Sequence, residues 1–239
     1  MPSNMVFKLS GITTDSTNQY NALYPNGYVG GEPQYCLTCE YARANNLVAK
    51  RFIANATYSA PPLWHALPAV LGRGWELAGI FNWQTGSPFS IVSPYGTEQF
   101  GYDNYNGTGA RPFFVQTAPR NPDHDNAQFF ASDVVNNPAA YWSVPTTTNA
   151  TLGTVQTAPG NLGRNTYTGP SWWNLDFSLV KNTTIFKEAK LQLRGEFFNI
   201  FNHTTFAIPN GNILTPSFGL STATAYNERQ IQLGARILF

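Results

Sequence analysis

The last ten residues of the chain, 230–239, alternate between apolar and polar side chains, and this two-residue period most strongly constrains the fold. The apolar face has Ile231, Leu233, Ala235, Ile237 and Phe239. The other face has Gln230, Gln232, Gly234 and Arg236, with Leu238 as the exception. Because successive side chains of a strand point to opposite faces, the pattern predicts a β-strand with one apolar and one polar side.

The same period recurs earlier in the chain, at residues 51–58, 75–84, 173–179 and 190–197, and more weakly at 6–10. No stretch shows a strong helical period. The clearer strands approach the length of about 9–11 residues that a tilted strand needs to cross a bilayer. The sequence therefore predicts an all-β, antiparallel protein of five or six strands.

Short and long connections alternate between these segments. Residues 182–188 and 60–74 are the shorter connections, and residues 11–50, 93–170 and 202–228 are the long ones. Transmembrane β-barrels have short periplasmic turns and longer extracellular loops. We therefore expect an up-and-down meander that forms the last five or six strands of a transmembrane barrel, with long extracellular loops. The alternative is a soluble sandwich, but sandwiches have a turn every 8–12 residues or so.

Composition supports the barrel and excludes some partners. Only 11% of the residues are charged and 15% are aromatic, with a net charge of +1. This balance offers no electrostatic basis for binding nucleic acid.

The first residues lack the basic segment and apolar core of a signal peptide, so we expect an incomplete reading frame or an excised fragment. We divide it into residues 1–50, a truncated strand plus outer loop, and 51–239, a barrel segment with the extracellular loop 93–170.

The carboxy terminus resembles the insertion signal of bacterial outer-membrane barrels. The residues that fill its places are Gln232, Gly234, Ile237 and Phe239. Assembly machinery would read such an edge strand through backbone pairing and alternate side chains. The alternative is an ordinary edge strand that ends in phenylalanine.

Three longer segments resemble the last strands of TonB-dependent receptors of the Oar-like branch, which carry a carboxypeptidase-regulatory-like domain. These segments are GWELAGIFNWQTGSPFSIV, GNLGRNTYTGPSWWNLDFSLVKNTTI and LQLRGEFFNIFNHTTFAIPN. The resemblance covers residues 51–239, and its most specific parts are the Asn-Leu-Gly-Arg-Asn run at 161–165 and the Phe-Asn-Ile-Phe-Asn-His run at 198–203.

This resemblance implies energy-coupled nutrient uptake in the bacterial outer membrane, with no enzymatic step and no cofactor. The implied partners are outer-membrane lipid, the barrel assembly machinery, an energy-coupling protein and an unknown small-molecule or peptide cargo. The coupling protein would contact an amino-terminal region absent from this chain. A full receptor barrel has about 22 strands, so this piece is expected not to close a barrel alone. The alternative function is a surface-exposed β binding or adhesion module without transport.

The polar strand faces supply the candidate lumen residues Asn174, Asp176, Lys190, Gln192, Arg194 and Glu196. Trp75, Trp83 and Trp173 lie on apolar faces and are predicted to form an interfacial belt. For Cys36 and Cys39, a local disulfide is favoured over free thiols or metal binding, because a metal site would need further ligands. The histidines lie far apart, and no metal or catalytic constellation is predicted.

Overall fold

The computed structural model describes residues 5–13, 42–62, 68–93, 95, 111–123, 126–150, 153–157, 160–186 and 189–239. Its strands, in chain order, are β1 Met5–Thr13, β2 Lys50–Ser59, β3 Trp75–Gln84, β4 Pro88–Phe89, β5 Phe113–Phe114, β6 Trp142–Ser143, β7 Thr146–Asn149, β8 Gly153–Gln156, β9 Tyr167–Thr168, β10 Trp172–Phe186, β11 Ala189–Phe198 and β12 Gln230–Leu238. The helices are α1 Ala69–Gly72, α2 Ser132–Asn136 and a 3-10 turn at Pro138–Ala140.

Six of these strands form one antiparallel sheet in the order β1-β2-β3-β10-β11-β12. Each strand pairs with the next long strand along the chain, so the sheet is an up-and-down meander. The six segments predicted from the two-residue period are these six strands. The predicted all-β antiparallel fold is confirmed.

The register brings every predicted apolar strand face to the same side of the sheet. Residues directly opposite each other on antiparallel strands share a face, and Trp83 pairs with both Phe52 and Trp173. This apolar face consists of Phe52, Ala54, Ala56, Tyr58, Trp75, Leu77, Gly79, Phe81, Trp83, Trp173, Leu175, Phe177, Leu179, Leu191, Leu193, Gly195, Phe197, Ile231, Leu233, Ala235 and Ile237. The polar face carries the alternate residues, which include Glu76, Asn82, Asn174, Asp176, Asn182, Lys190, Gln192, Arg194, Glu196, Gln232 and Arg236.

No described protein layer covers the apolar face. Leu193 is 46% exposed and Leu233 is 82% exposed. Of the strand side chains that the structure describes in this sheet, only Lys181 is buried. A soluble sheet buries its apolar face against another layer, so this face needs a different apolar neighbour.

The connections alternate in length as predicted: β2–β3 and β10–β11 are joined by short connections at one end of the sheet, and β1–β2, β3–β10 and β11–β12 by long ones at the other. We call these the short-turn end and the long-loop end. The predicted turn at 182–188 is wrong at its start, since β10 continues to Phe186. Its polar residues Asn182 and Thr184 pair with Gln192 and Lys190. A run of Asn and Thr is typical of turns, but here hairpin pairing extends the strand through it.

The segment 93–170, predicted as a long extracellular loop, contains all of β5, β6, β7, β8 and β9 together with α2 and the 3-10 turn. With residues 199–229 it encloses the main hydrophobic core, formed by Phe89, Ile91, Ala118, Phe129, Phe130, Val134, Trp142, Leu162, Ile213 and Phe218. We call this folded unit, made from the described parts of 85–171 and 199–229, the cap. Aromatic rings dominate it: the Phe130 ring stacks on that of Phe218 at 5.6 Å and meets that of Trp142 edge-on at 5.4 Å.

Candidate functional site

The polar face is joined by side-chain hydrogen bonds across three strands. Gln192 Nε2 on β11 donates to Asn182 Oδ1 on β10 at 3.0 Å, and Asn182 Nδ2 donates to Glu76 Oε1 on β3 at 3.2 Å. Arg194 and Glu196 form an ion pair at 3.4 Å along β11. Charges and amides of β3, β10 and β11 therefore bond one another on this face, an arrangement suited to the wall of a water-filled channel.

The six candidate lumen residues all lie on this polar face, three pairs of them two residues apart on β10 or β11. Lys190 lies opposite Thr184 near the short-turn end, and Asn174 lies opposite Asn82 near the long-loop end. The geometry places the six together. That they line a lumen stays a prediction.

One of the six, Asp176, also has a structural role at the long-loop end. Its Oδ1 accepts hydrogen bonds from Asn174 Nδ2 and from the backbone N–H of Asn199, both at 3.0 Å. Asn199 has a φ of 51°, and its side chain bonds both the N–H and the C=O of His203, at 2.9 and 3.0 Å. The Phe-Asn-Ile-Phe-Asn-His run is therefore the turn that ends β11, and Asp176 holds it to β10.

The Asn-Leu-Gly-Arg-Asn run ends in a second junction, at Asn165. Its N–H donates to Ser90 Oγ at 2.9 Å, and its Nδ2 donates to the carbonyl of Arg43 and to Asn45 Oδ1, both at 2.6 Å. Arg43 returns the contact, with Nη2 donating to the Asn165 carbonyl at 2.7 Å and Nη1 to Thr168 Oγ1 at 2.7 Å. Burial lowers the pKa of the Arg43 guanidinium. Asn165 thus joins two connections of the long-loop end, the one before β2 and the one between β3 and β10.

A pocket of about 160 Å³ opens between the cap and the start of β10. Its lining is Arg120, Asn121, Asp123, Asn126, Gln128, Phe129, Pro170 and Ser171. The Arg120 guanidinium lies 4.7 Å from the Phe129 ring centroid and donates to the Thr168 carbonyl. Burial lowers the pKa of Arg120. The pocket is smaller than the roughly 300–1,000 Å³ of a typical small-molecule site, so it has room for one polar group of a larger ligand.

The predicted insertion-signal residues lie on or directly after the edge strand β12. Gln232 pairs with Glu196, Gly234 with Arg194 and Ile237 with Leu191. Phe239 follows the strand and is 99% exposed. A Cβ added at Gly234 would meet no atom within 4 Å, so packing within the described chain does not require glycine there. Recognition by assembly machinery stays a prediction, and Cys36 and Cys39 lie outside the described residues.

Aromatic side chains mark both borders of the apolar face. Phe52, Trp83 and Trp173 lie at one level near the long-loop end, and Tyr58 and Trp75 lie toward the short-turn end. Eight residues separate Trp75 from Trp83, about 27 Å along a strand and about 21 Å across a membrane at a tilt of about 40°. This spacing is close to the apolar band of about 25 Å in transmembrane barrels.

The apolar face carries charge only at its ends. Of the strand side chains described there, Lys50 and Lys181 alone are charged, with Lys50 beyond Phe52 and Lys181 opposite Trp75. Trp172 lies on the polar face instead and packs on Tyr226, with ring centroids 4.4 Å apart. Trp75, Trp83 and Trp173 are therefore placed where a belt would be.

No group of three or more His, Cys, Asp or Glu side chains in the described ranges could hold a metal ion. None of the helices in those same ranges combines the length and the apolar character needed to cross a membrane.

Sequence reasoning missed the junction at Asn165 and Arg43, although it singled out residues 161–165. A signal was present, because asparagine is enriched among residues with left-handed backbone and is common in turns. Its contacts with Arg43 join residues 122 apart, and no local pattern carries that pairing. The pairing of Lys181 with the segment before β3 was missed for the same reason.

Comparison with known proteins accounts for the uncovered apolar face. A family model described as an outer membrane beta barrel domain matches residues 10–232, more than half of the chain. No curated protein and no solved structure gives a match. In such a barrel, lipid replaces the second protein layer, and every backbone polar group of the wall is satisfied by strand pairing. The chain therefore belongs to the outer-membrane β-barrel domain family, and its location is the bacterial outer membrane.

Proposed function

We propose that this chain is a section of a TonB-dependent receptor that takes up a nutrient by energy-coupled transport. It would contribute barrel wall, outer loops and the carboxy-terminal insertion signal. The observation that carries the proposal is the polar face, which is hydrogen-bonded across β3, β10 and β11 and ends beneath a folded cap. The resemblance of residues 161–165 and 198–203 to the Oar-like branch supports the same function.

In this proposal the chain binds and guides cargo without breaking or making bonds. The cap, with the pocket beside Arg120 and Gln128, would make the first contact at the cell surface. The polar face, which combines the Arg194–Glu196 ion pair with neutral amides, would let a polar cargo pass without trapping it. Contact with the energy-coupling protein would be made by a part of the receptor outside these 239 residues. The cargo class, small molecule or peptide, stays open.

The test compares two deletions in the native host. One strain lacks the gene for this protein, and the other lacks the energy-coupling protein. Both are grown on a panel of single nutrient sources at limiting concentration. If the proposal is right, the first strain fails on one nutrient or a few, and the second strain fails on the same ones. Restoring the intact gene should restore growth.

The rival function, surface binding or adhesion without transport, gives a different outcome. The deletion strain would then grow normally on every nutrient and lose attachment to a surface or to other cells. That result would contradict uptake. The folded cap is compatible with adhesion as well, because a rigid outer surface serves either purpose.

A further inference from the structure

The segment that precedes β3 folds back onto the apolar face at the short-turn end. Three side chains of that face donate hydrogen bonds to its carbonyls: Trp75 Nε1 to Leu71 O at 2.8 Å, Thr183 Oγ1 to Val70 O at 3.4 Å, and Lys181 Nζ to Arg73 O. Helix α1 therefore lies on the side of the sheet that the barrel wall turns toward lipid.

Two large apolar side chains of α1 are exposed. Val70 is 54% exposed and Leu71 is 57% exposed. The face on which α1 lies is the lipid-contacting face of the family, so these two side chains continue an apolar surface already in contact with the bilayer. If α1 faced water, the apolar side chains of Val70 and Leu71 would stay in contact with it, which is unfavourable.

Basic and aromatic groups surround α1 at the level expected of a membrane interface. Lys181 Nζ lies 5.2 Å from the Trp75 ring centroid, and Lys181 is the last charged residue of the apolar face at this end. Arg73 directly follows α1 and is exposed. Tryptophan and basic side chains with apolar neighbours are typical of the headgroup region, where the cation meets phosphate and the apolar groups meet acyl chains.

We propose that α1 and Arg73 form a phospholipid-binding anchor in the periplasmic leaflet. Val70 and Leu71 enter the boundary between headgroups and acyl chains, and Arg73 contacts a headgroup phosphate. Trp75, Lys181 and Thr183 hold the anchor on the sheet. The leaflet follows from the short-turn end, which faces the periplasm in barrels of this kind. The anchor rests on membership of the outer-membrane barrel family and is independent of the proposed uptake function.

The test places an environment-sensitive fluorophore on single cysteines in the full chain, after Cys36→Ser and Cys39→Ser. The protein is inserted in vesicles of phosphatidylethanolamine and phosphatidylglycerol with brominated acyl chains, which quench buried fluorophores. Val70→Cys reports the anchor, and Leu193→Cys on the apolar face verifies insertion in every preparation used. Thr184→Cys, exposed on the polar face near the same end, is the matched control.

We expect brominated lipid to quench the label at position 70 at least half as strongly as the label at 193. The label at 184 should be quenched by aqueous iodide instead. If the labels at 70 and 184 respond alike to both quenchers, α1 does not enter the bilayer and the proposal is wrong.

A second comparison tests the headgroup contact. In the Val70-labelled protein, Arg73→Gln should lower quenching by brominated lipid at least twofold, whereas Arg73→Lys should keep it, because an ammonium also binds phosphate. Unchanged quenching in Arg73→Gln would show that Arg73 does not bind a headgroup phosphate. If Arg73 only maintained the local structure, both Arg73→Gln and Arg73→Lys would lower the quenching.

Discussion

At the scale of single residues, three asparagines with left-handed backbone hold the long loops in place. Asn165, Asn199 and Asn202 have φ values of 52°, 51° and 53°. Asparagine tolerates this conformation better than other residues with a Cβ because its short amide bonds nearby backbone. Asn202 Oδ1, for example, accepts the N–H of Arg229 at 2.9 Å just before β12. Each therefore combines a backbone turn with a bond to a distant segment.

Replacing Asn165 by alanine should loosen the cap. The variant loses the hydrogen bonds to Arg43 and Asn45 and forces an unfavourable φ, together about 2–3 kcal/mol. Loop cleavage by protease in isolated outer membranes should become about 30-fold faster or more, since each 1.4 kcal/mol is about tenfold in the opening equilibrium.

Two controls separate the causes. Asn165→Gly removes the side chain but accepts the positive φ, so its effect should be smaller than that of Asn165→Ala. Asn136→Ala, at an exposed position in α2, should leave cleavage unchanged. Equal cleavage rates for wild type and Asn165→Ala would show that this junction does not hold the cap.

At the scale of elements, the meander depends on a close backbone contact at the short-turn end, between the residue before β3 and β10. Gly74 has a φ of 80°, and a Cβ there would lie 2.1 Å from the carbonyl oxygen of Asn182. The same backbone contact carries a hydrogen bond from Asn182 N to Gly74 O at 2.8 Å. Glycine at this position lets β3 begin directly beside β10 and keeps α1 against the apolar face.

Gly74→Ala should destabilise this part of the sheet by about 2–5 kcal/mol, from left-handed strain and from the clash. Gly153→Ala is the matched control, because Gly153 has a φ of 74° with no atom within 4 Å of the added Cβ. It should cost only the strain, about 1–2 kcal/mol. Pulse proteolysis across a urea series would follow the sheet for Gly74→Ala and the cap for Gly153→Ala, each against the same part of the wild type. Equal shifts of the two midpoints would mean that the close contact with Asn182 is relieved without cost.

The two faces of β11 should respond oppositely to a new charge. Leu193 lies on the apolar face and Gln192 on the polar face. Leu193→Arg should lower insertion, since arginine on the lipid side costs about 2–4 kcal/mol at the bilayer midplane and less toward the interface, near which Leu193 lies opposite Lys181. Gln192→Arg should be tolerated. The measurement is the yield of each variant in the outer-membrane fraction, and equal yields would contradict the face assignment.

At the scale of the whole molecule, the chain has two different sources of cohesion. The sheet is held by backbone pairing and needs lipid on one face, whereas the cap has a hydrophobic core of its own. All of the largest fully buried side chains of the described residues, including Trp142, Phe130 and Phe218, belong to the cap side of the molecule. The two parts should therefore lose structure independently.

Phe130→Ala tests that independence. Phe130 is fully buried among Phe89, Phe129, Trp142 and Phe218, so its truncation should cost the cap about 3–5 kcal/mol. Protease should then cut the cap in intact cells while the amount of protein in the outer membrane stays unchanged. Phe114→Ala, at a site 47% exposed, is the control. Loss of the whole protein from the membrane would show that the cap and the sheet fold as one unit.

The sheet could be predicted from the sequence, because a two-residue period assigns each strand residue to a face without knowledge of its neighbours. Leu175 and Leu193 were placed correctly for that reason. The cap could not be predicted, since Phe89, Phe130 and Trp142 come from separate segments in which apolar residues recur with no regular period. The candidate lumen residues could be grouped on one face, but the additional structural role of Asp176 depends on a bond to Asn199, 23 residues away.

The most direct test of the barrel-wall assignment is a cysteine scan of β11, at positions 190–194, 196 and 197. Each cysteine carries the environment-sensitive fluorophore described above, which brominated lipid quenches. Labels at 191, 193 and 197 should be quenched by brominated lipid, and labels at 190, 192, 194 and 196 should be reached by aqueous iodide. This period of two would place lipid on the apolar face and water on the polar one. Uniform access of iodide to all seven positions would contradict a membrane-spanning strand.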